Sequence, residues 1–579
     1  MKNIGIILIA VLSLVACQEK ATQQPNVLFI LTDDQGWGDM SSHGNEVLET
    51  PVLDQLAQDG AEFDRFFVSP LCAPTRASLL TGRYHLKTGA TSVSKGLEIM
   101  DTEEETIAEV FKANGYAIGI FGKWHNGSHY PNRPTEQGFD EFIGFCAGHW
   151  TNYFDTKLDS GYVEIETKGF ITDYLTDKAI DFIDRKKDAP FVCYVPYNAP
   201  HGPFQVPDKY FNKYKAKGID DRLASIYGMV ENVDDNIARL LAKLDEEGLA
   251  ENTIVVFMTD NGPNGVRYNG AMKGVKGHVD EGGVRVPSII KWPGTIAAGK
   301  KIKRLGAHID WLPTLTELCG ITYNPAKEID GISLASTILN EEQETKERSV
   351  FTHVAFLERE LKERPGSFRT NKYRYVAKGE NAELYDMIAD PSQEKDIAKE
   401  NSVMVADFTS QYLSWFKDAS QNYQPIKPIS LNTNFVELPA FEAQFEGNLR
   451  FIEGHGWAHD YLVDWSSIKD EMTWLIDSDS EKEMAVYIRY TCPEDELGSK
   501  IAVSLLENSV ENTVTKAFDP PMINSPDRVK RQESYEKNWA MMEIGRLKLS
   551  KGQNMIKLST KELANKQVAE FKSLILKDI

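Results

Sequence analysis

Two patterns of apolar and polar positions divide this chain. From Asn26 to about residue 330, short apolar runs at residues 27–31, 116–121, 191–197 and 254–258 alternate with amphipathic helical stretches. That alternation predicts an α/β domain, a mostly parallel sheet covered by helices. In one unit, residues 101–105 carry helix-start chemistry, Ile107, Val110 and Phe111 mark a single helical face, and Gly115 stops the helix before the strand at residues 116–121.

The pattern changes after residue 345. A strand-like piece at residues 373–376 and a helix-like stretch at residues 403–416 predict a small α+β lobe spanning residues 346–425. Beyond the linker-like Gln424-Pro425-Ile426-Lys427-Pro428, alternating runs at residues 484–490, 501–505, 547–558 and 571–576 predict an appended β-sandwich over residues 426–579. The larger α/β domain then occupies residues 17–345.

Residues 1–16 read as a signal segment, with Lys2 ahead of an apolar run at residues 4–15. The run is short for a membrane span, and Leu14-Val15-Ala16-Cys17 resembles the lipobox of bacterial lipoproteins. It predicts export, lipidation of Cys17, and anchoring to the bacterial cell envelope, at the outer membrane. The alternative is an ordinary cleaved signal. Of the six cysteines, Cys72, Cys146, Cys193, Cys319 and Cys492 then remain, an odd set that argues against a disulfide framework. A formal net charge of -22 argues against nucleic acid as a partner and requires any anionic substrate to meet a locally basic pocket.

Ligands of open α/β sheets bind beyond the carboxyl ends of the strands. The first run leads into Asp33-Asp34, the second into Lys123-Trp124-His125, the third into His201 and the fourth into Asp260-Asn261. Asp33, Asp34, Asp260 and Asn261 offer hard oxygen donors suited to calcium or magnesium rather than zinc. Each carboxylate alone reads as a turn or helix cap, but two pairs at two strand ends point to a divalent cation. Cys72 precedes Pro74, which can open a helix, and Arg76 lies one turn on. A helix start and a nearby cation would both lower a thiol pKa, so Cys72 is expected to be reactive.

The segment Cys72-Ala73-Pro74-Thr75-Arg76, with Thr81-Gly82 following, resembles the signature of the type I sulfatases. The family's other motifs are matched by Asp33-Asp34, Gly122-Lys123-Trp124-His125, Pro200-His201, Asp260-Asn261-Gly262, and Lys276-Gly277 ahead of Glu281-Gly282-Gly283. The likeness runs from about Asn26 through Leu384-Tyr385-Asp386 and Asp390-Pro391, and fades past residue 425. Asn126 stands where many members have Leu, and Lys273 competes with Lys276 for one role. The resemblance implies an alkaline-phosphatase-like mixed sheet, oxidation of Cys72 to formylglycine by a maturation enzyme, and calcium ahead of magnesium held by Asp33, Asp34, Asp260, Asn261 and the residue made from Cys72. It also implies roles: Lys123 and Lys276 hold the sulfate, His201 with Lys276 protonates the leaving alcohol, His125 takes a proton from the sulfated hydrate, and Arg76 orients the nucleophile.

A lipid-anchored enzyme with a tethered accessory module fits a polymeric substrate, and sulfated carbohydrate such as ulvan, carrageenan or fucoidan is the expectation, with host glycosaminoglycans behind. Arg267 and His278 are candidates for gripping the sugar. Trp457, Trp465, Trp474 and Trp539 could stack on sugar rings, with core packing expected for most. The competing readings are a phosphoester or phosphonate hydrolase, and an inactive glycan-binding surface protein.

Overall fold

The computed structural model describes residues 24–340 and 347–579, so the lipidation expected at Cys17 lies outside the described residues. Asn26–Thr32 is the centre of a ten-stranded mixed sheet. It pairs in parallel with Phe191–Pro196 on one side and Thr253–Thr259 on the other. Ala117–Lys123 and then Glu141–Phe145 continue the parallel run, which ends in the antiparallel ribbon Lys157–Ser160 and Val163–Glu166. The opposite edge reverses direction through Ser288–Lys291, followed by Ala61–Phe63 and Lys300–Ile302.

Alternation along the central strand sends side chains into two cores. Val27, Phe29 and Leu31 face the helices on one side, with Trp311 edge-on to Phe29, while Leu28 and Ile30 face Phe182 and the long helix Asp221–Glu246 on the other. The helix read from residues 101–115 runs Ile107–Ala113. Its cap lies one residue later than the sequence placed it: Thr106 and Glu109 form a capping box.

The small lobe is a four-stranded antiparallel sheet, Val350–His353, Gly366–Arg369, Tyr373–Ala377 and Ala382–Asp386, covered by Ser402–Ala419 through Phe368, Tyr375 and Tyr412. The last segment packs two six-stranded sheets face to face. Glu471–Ser478 alternates half-buried and buried positions, the mark of a strand with one face in a core. The alternating run at residues 547–558 is two strands, Ala540–Leu549 in one sheet and Gly552–Glu562 in the other. The chain changes sheets at Ser550-Lys551, a crossing that alternation alone does not reveal. Trp465 and Trp474 lie in the sandwich core, whereas Trp457 and Trp539 are half-buried.

The sandwich is not held off on a tether. Lys427 of the linker-like stretch is pinned to Asp101 Oδ1 at 2.7 Å and to the Ile99 carbonyl. Arg531 donates to the Thr151 carbonyl at 2.7 Å, and Gln205 donates to Asp527 at 2.8 Å. Multiple polar ties bind the sandwich to the α/β domain across the linker-like stretch.

Candidate active site

Four adjacent parallel strands end on the same edge of the sheet, so the residues directly after them meet. Asp260 Oδ1 accepts from the Asp34 backbone N–H at 3.2 Å, and Asn261 Nδ2 donates to Asp34 Oδ1 at 2.8 Å. Asp34 and His125 both hold positive φ, 68° and 62°, a backbone state that costs non-glycine residues of order 1–3 kcal/mol and clusters at functional sites.

Cys72 is the first residue of Cys72–Thr81, a helix buried along its whole length and ended by Gly82 at φ 69°. At its N-terminus Cys72 Sγ lies within 4.8 Å of carboxylate oxygens of Asp33 and Asp260. One turn in, Arg76 donates to Asp260 Oδ2 at 2.8 Å, lies 3.5 Å from Asp33 Oδ2 and donates to the Lys123 carbonyl at 3.1 Å. Lys123 is paired with Asp33, and Lys276 with Asp34 at 2.6 Å. Lys273 instead bonds the Tyr385 hydroxyl at 2.8 Å, so of the two competing lysines only Lys276 reaches the cluster.

These cations decide the charge states. Burial opposes ionisation of Asp33 and Asp34, yet Lys123 beside the first and Lys276 beside the second hold both below the usual carboxylate range. Asp260, buried and facing Asp33, is pushed up to about 7. Burial also pushes the Cys72 thiol up, against the pull of Lys123 and Lys276. Desolvation thus outweighs the helix start and the cations that the sequence pointed to.

His125 is wedged between two loops. Its Nε2–H donates to the Val93 carbonyl at 2.9 Å, and a Cβ on Gly148 would come within 2.5 Å of the same nitrogen, so only glycine fits there. Its Nδ1 is buried without a partner among the described residues, and burial drives its pKa well below the usual histidine value. His201 donates from Nδ1 to the Gly202 carbonyl at 2.7 Å, which leaves Nε2 facing Asp34 Oδ2 at 3.7 Å.

Asp33 Oδ1 and Asn261 Oδ1 are buried acceptors without a hydrogen-bond partner among the described residues, and sets of three ligand atoms close together include Asp33, Cys72 and Asp260. Orphaned acceptors amid carboxylates fit a hard divalent cation held by Asp33, Asp34, Asp260 and Asn261.

Not every candidate joins the cluster. Arg267 pairs with Asp39 at 2.6 Å and donates to the Asp34 carbonyl at 2.7 Å, which braces the Asp33–Asp39 turn. His278 is exposed on the turn that carries Lys276. The sequence reading did not single out Asn264, which donates to Asp34 Oδ2 at 3.0 Å, and took as structural His149, whose ring lies parallel to His201 with centroids 6.3 Å apart. Neither follows a strand directly, so position gave no signal. Asn126, the departure from the family pattern, donates to the Ala73 carbonyl at 3.0 Å and ties down the first turn of the Cys72 helix. The five described cysteines are all free and buried.

A pocket that sets fixed cations and two histidines around paired carboxylates suits transfer of a tetrahedral anion, and the fold is that of alkaline-phosphatase-like hydrolases. Comparison with known families narrows this class. Residues 25–321, more than half of the chain, match the Sulfatase family model, and residues 275–413 match the C-terminal model of N-sulphoglucosamine sulphohydrolase. The chain belongs to the sulfatase family and is a sulfuric ester hydrolase. The N-acetylgalactosamine-6-sulfatase of Mus musculus is 33% identical over 357 residues, 55% of this chain and 67% of that relative. A solved structure of Ps i-CgsB in complex with k-i-k-neocarrahexaose is 29% identical, covers 69% of this chain and 95% of its own, and superposes with a TM-score of 0.65. The phosphonate monoester hydrolase of Agrobacterium radiobacter, 21% identical with a TM-score of 0.53 over 68% of this chain and 96% of its own, shares the fold alone.

Proposed function

We propose that this chain hydrolyses sulfate esters of carbohydrate, in polysaccharide or the oligosaccharides derived from it, after a maturation enzyme has converted Cys72 to formylglycine. The observation that carries the proposal is the meeting of Asp33, Asp34, Lys123, Lys276, His125 and His201 around Cys72 at the head of a buried helix. When present, the hydrated formylglycine would supply the nucleophile and a divalent cation, calcium ahead of magnesium, would offset charge on the sulfate.

The chain's own residues account for the rest. Lys123 and Lys276 are cations fixed in a desolvated site, where they hold sulfate oxygens and stabilise the charge that develops in transfer. His201, its Nδ1–H spent on Gly202, presents Nε2 as the proton donor to the leaving alcohol. His125, kept neutral by burial with Nδ1 free, is the proton acceptor that resets the site. Arg76 balances Asp33 and Asp260 and fixes the helix that carries the nucleophile position.

Carbohydrate is favoured because one relative carries N-acetylgalactosamine in its name and a similar solved structure holds neocarrahexaose. Ulvan and fucoidan belong in the same substrate panel. Lipidation at Cys17 would place the enzyme on the bacterial cell envelope, at the outer membrane.

The test is the mass of the Cys72 peptide from cells that contain a maturation enzyme, together with sulfate release from aryl sulfate, paired aryl phosphate and sulfated oligosaccharides. An aldehyde at residue 72 and sulfate release from a sugar are the expected results. A plain cysteine with no sulfate release overturns the reading in favour of a binding protein, and faster phosphate release overturns it in favour of a phosphoester hydrolase.

A further inference from the structure

The β-sandwich reaches the catalytic histidines from two sides. Catalytic His125 is flanked by Val93 and Gly148. The sandwich loop at residues 455–459 bridges the residues one step further along each of those segments. Ser94 Oγ donates to the Gly456 carbonyl at 2.8 Å, and His459 Nε2–H donates to the His149 carbonyl at 3.2 Å. His459 is itself held at φ 68°, and its ring sits edge-on to His149 and Trp150 at 5.3 and 5.0 Å. Trp457 and Ala458 lie between these two contacts, in the loop tied to both segments that flank His125.

The second approach lies over His201. Residues 525–533 of the sandwich form a strap along residues 202–208 of the catalytic domain. The Arg528 N–H donates to the Phe204 carbonyl at 3.1 Å, and Gln205 donates to Ser525 and Asp527. A Cβ on Gly202 would lie 2.9 Å from Glu533 Oε1, which puts that carboxylate one residue from His201. Ser534 joins the two approaches by donating to Asp460 at 3.0 Å.

Trp457 in this position is not core material. It is half-buried, its ring stacks on that of exposed His455 at 4.2 Å and 15°, and among the described residues its indole N–H has no acceptor. A half-open aromatic face on a loop tied to both segments flanking His125 is the shape that packs on the apolar face of a pyranose, leaving the ring's hydroxyls for polar neighbours.

We propose that the β-sandwich builds the part of the substrate site beyond the sulfate, with Trp457 on His455 as the platform for a neighbouring sugar ring and Glu533 as an acceptor for sugar hydroxyls. This rests on the carbohydrate reading above. The module is then a specificity element of the active site, in place of the separate anchor on the polymer that the sequence suggested.

Full-length matured enzyme is compared on an aryl sulfate and on a sulfated oligosaccharide as wild type, Trp457→Ala, Trp457→Phe and Glu533→Gln. For Trp457→Ala, kcat/KM on the oligosaccharide is expected to fall roughly tenfold more than on the aryl sulfate, through KM, which is near the upper end of what an aromatic contact contributes. Trp457→Phe recovers most of that loss, and Glu533→Gln shows a smaller loss of the same selectivity. Equal losses on both substrates would assign Trp457 a structural role and overturn the proposal, as would no loss on either. If wild type cleaves the aryl sulfate but releases no sulfate from any carbohydrate, the carbohydrate reading itself fails and takes this proposal with it.

Discussion

Glu281, in the Glu-Gly-Gly motif, tests the link between charge, stability and site geometry. Its carboxylate is 1% exposed and meets Arg374 at 2.8 Å, Arg369 at 3.3 Å and Arg285 at 3.8 Å, with the first two arginines coming from the small lobe. Glu281→Gln keeps the side-chain shape and removes the charge, leaving two buried guanidiniums without a counter-ion. Burial works against the carboxylate, but Arg374 and Arg369 outweigh it and hold its pKa at about 2 against an ordinary 4.5. That depression corresponds to about 3 kcal/mol of folding stability, at the lower end of the roughly 3–5 kcal/mol for breaking a buried ion pair. Because the folded pKa is lowered, the contribution is complete above the ordinary value of 4.5 and is lost as pH falls through about 2. The same turn carries Lys276, whose N–H bonds the Pro263 carbonyl at 3.0 Å, so loosening it also displaces a cation from the site. Calorimetry of wild type and Glu281→Gln between pH 7 and pH 3 should show a melting point lower by several degrees in the variant at pH 7, with the gap narrowing in acid. A variant within about 0.5 kcal/mol of wild type at pH 7, or a gap independent of pH, would refute the reasoning.

Three further outcomes are expected. Cys72→Ala should reduce sulfate release to background while changing stability by no more than about 1 kcal/mol, read from activity and thermal melts of the same preparation. Chelation should lower the melting point and calcium should restore it, through a stabilisation of about 2.7 kcal/mol at a hundredfold excess over the dissociation constant; an unchanged melting point would argue against the oxygen-donor site. At the sandwich interface, Glu98 is pushed up to about 7 by burial and by facing Glu442, which His129 contacts at 3.0 Å. The raised pKa makes its contribution complete below 4.5 and lost as pH rises through about 7, so Glu98→Gln should flatten the fall of the melting point between pH 5 and pH 8, and parallel curves would count against it.

What could be read along the chain was local. Apolar runs fixed the four central strands because a buried strand must be apolar throughout, and the residues after each strand formed a shared rim because parallel neighbours end on the same edge. Contiguous motifs singled out Cys72, Lys123, His125 and Asp260 without a single contact being known, and the fold brings them to one edge of the sheet. Choices between chemically equal residues were not local. Lys276 and Lys273 differ by which carboxylate or hydroxyl lies within reach, and Arg267 reads as a free cation until Asp39 is seen beside it.

The Cys72 thiol shows the limit most directly. The sequence supplied a helix start and a cation, both lowering its pKa, but the opposing term is desolvation, which depends on everything that packs around the residue. The β-sandwich is a second case. Its alternating strands determined a sandwich, while its place against His149, Thr151 and Ser94 came from hydrogen bonds between residues hundreds of positions apart. Periodicity encodes which face of an element is buried; it carries no record of which distant surface covers it, and that pairing was decided by the tertiary structure alone.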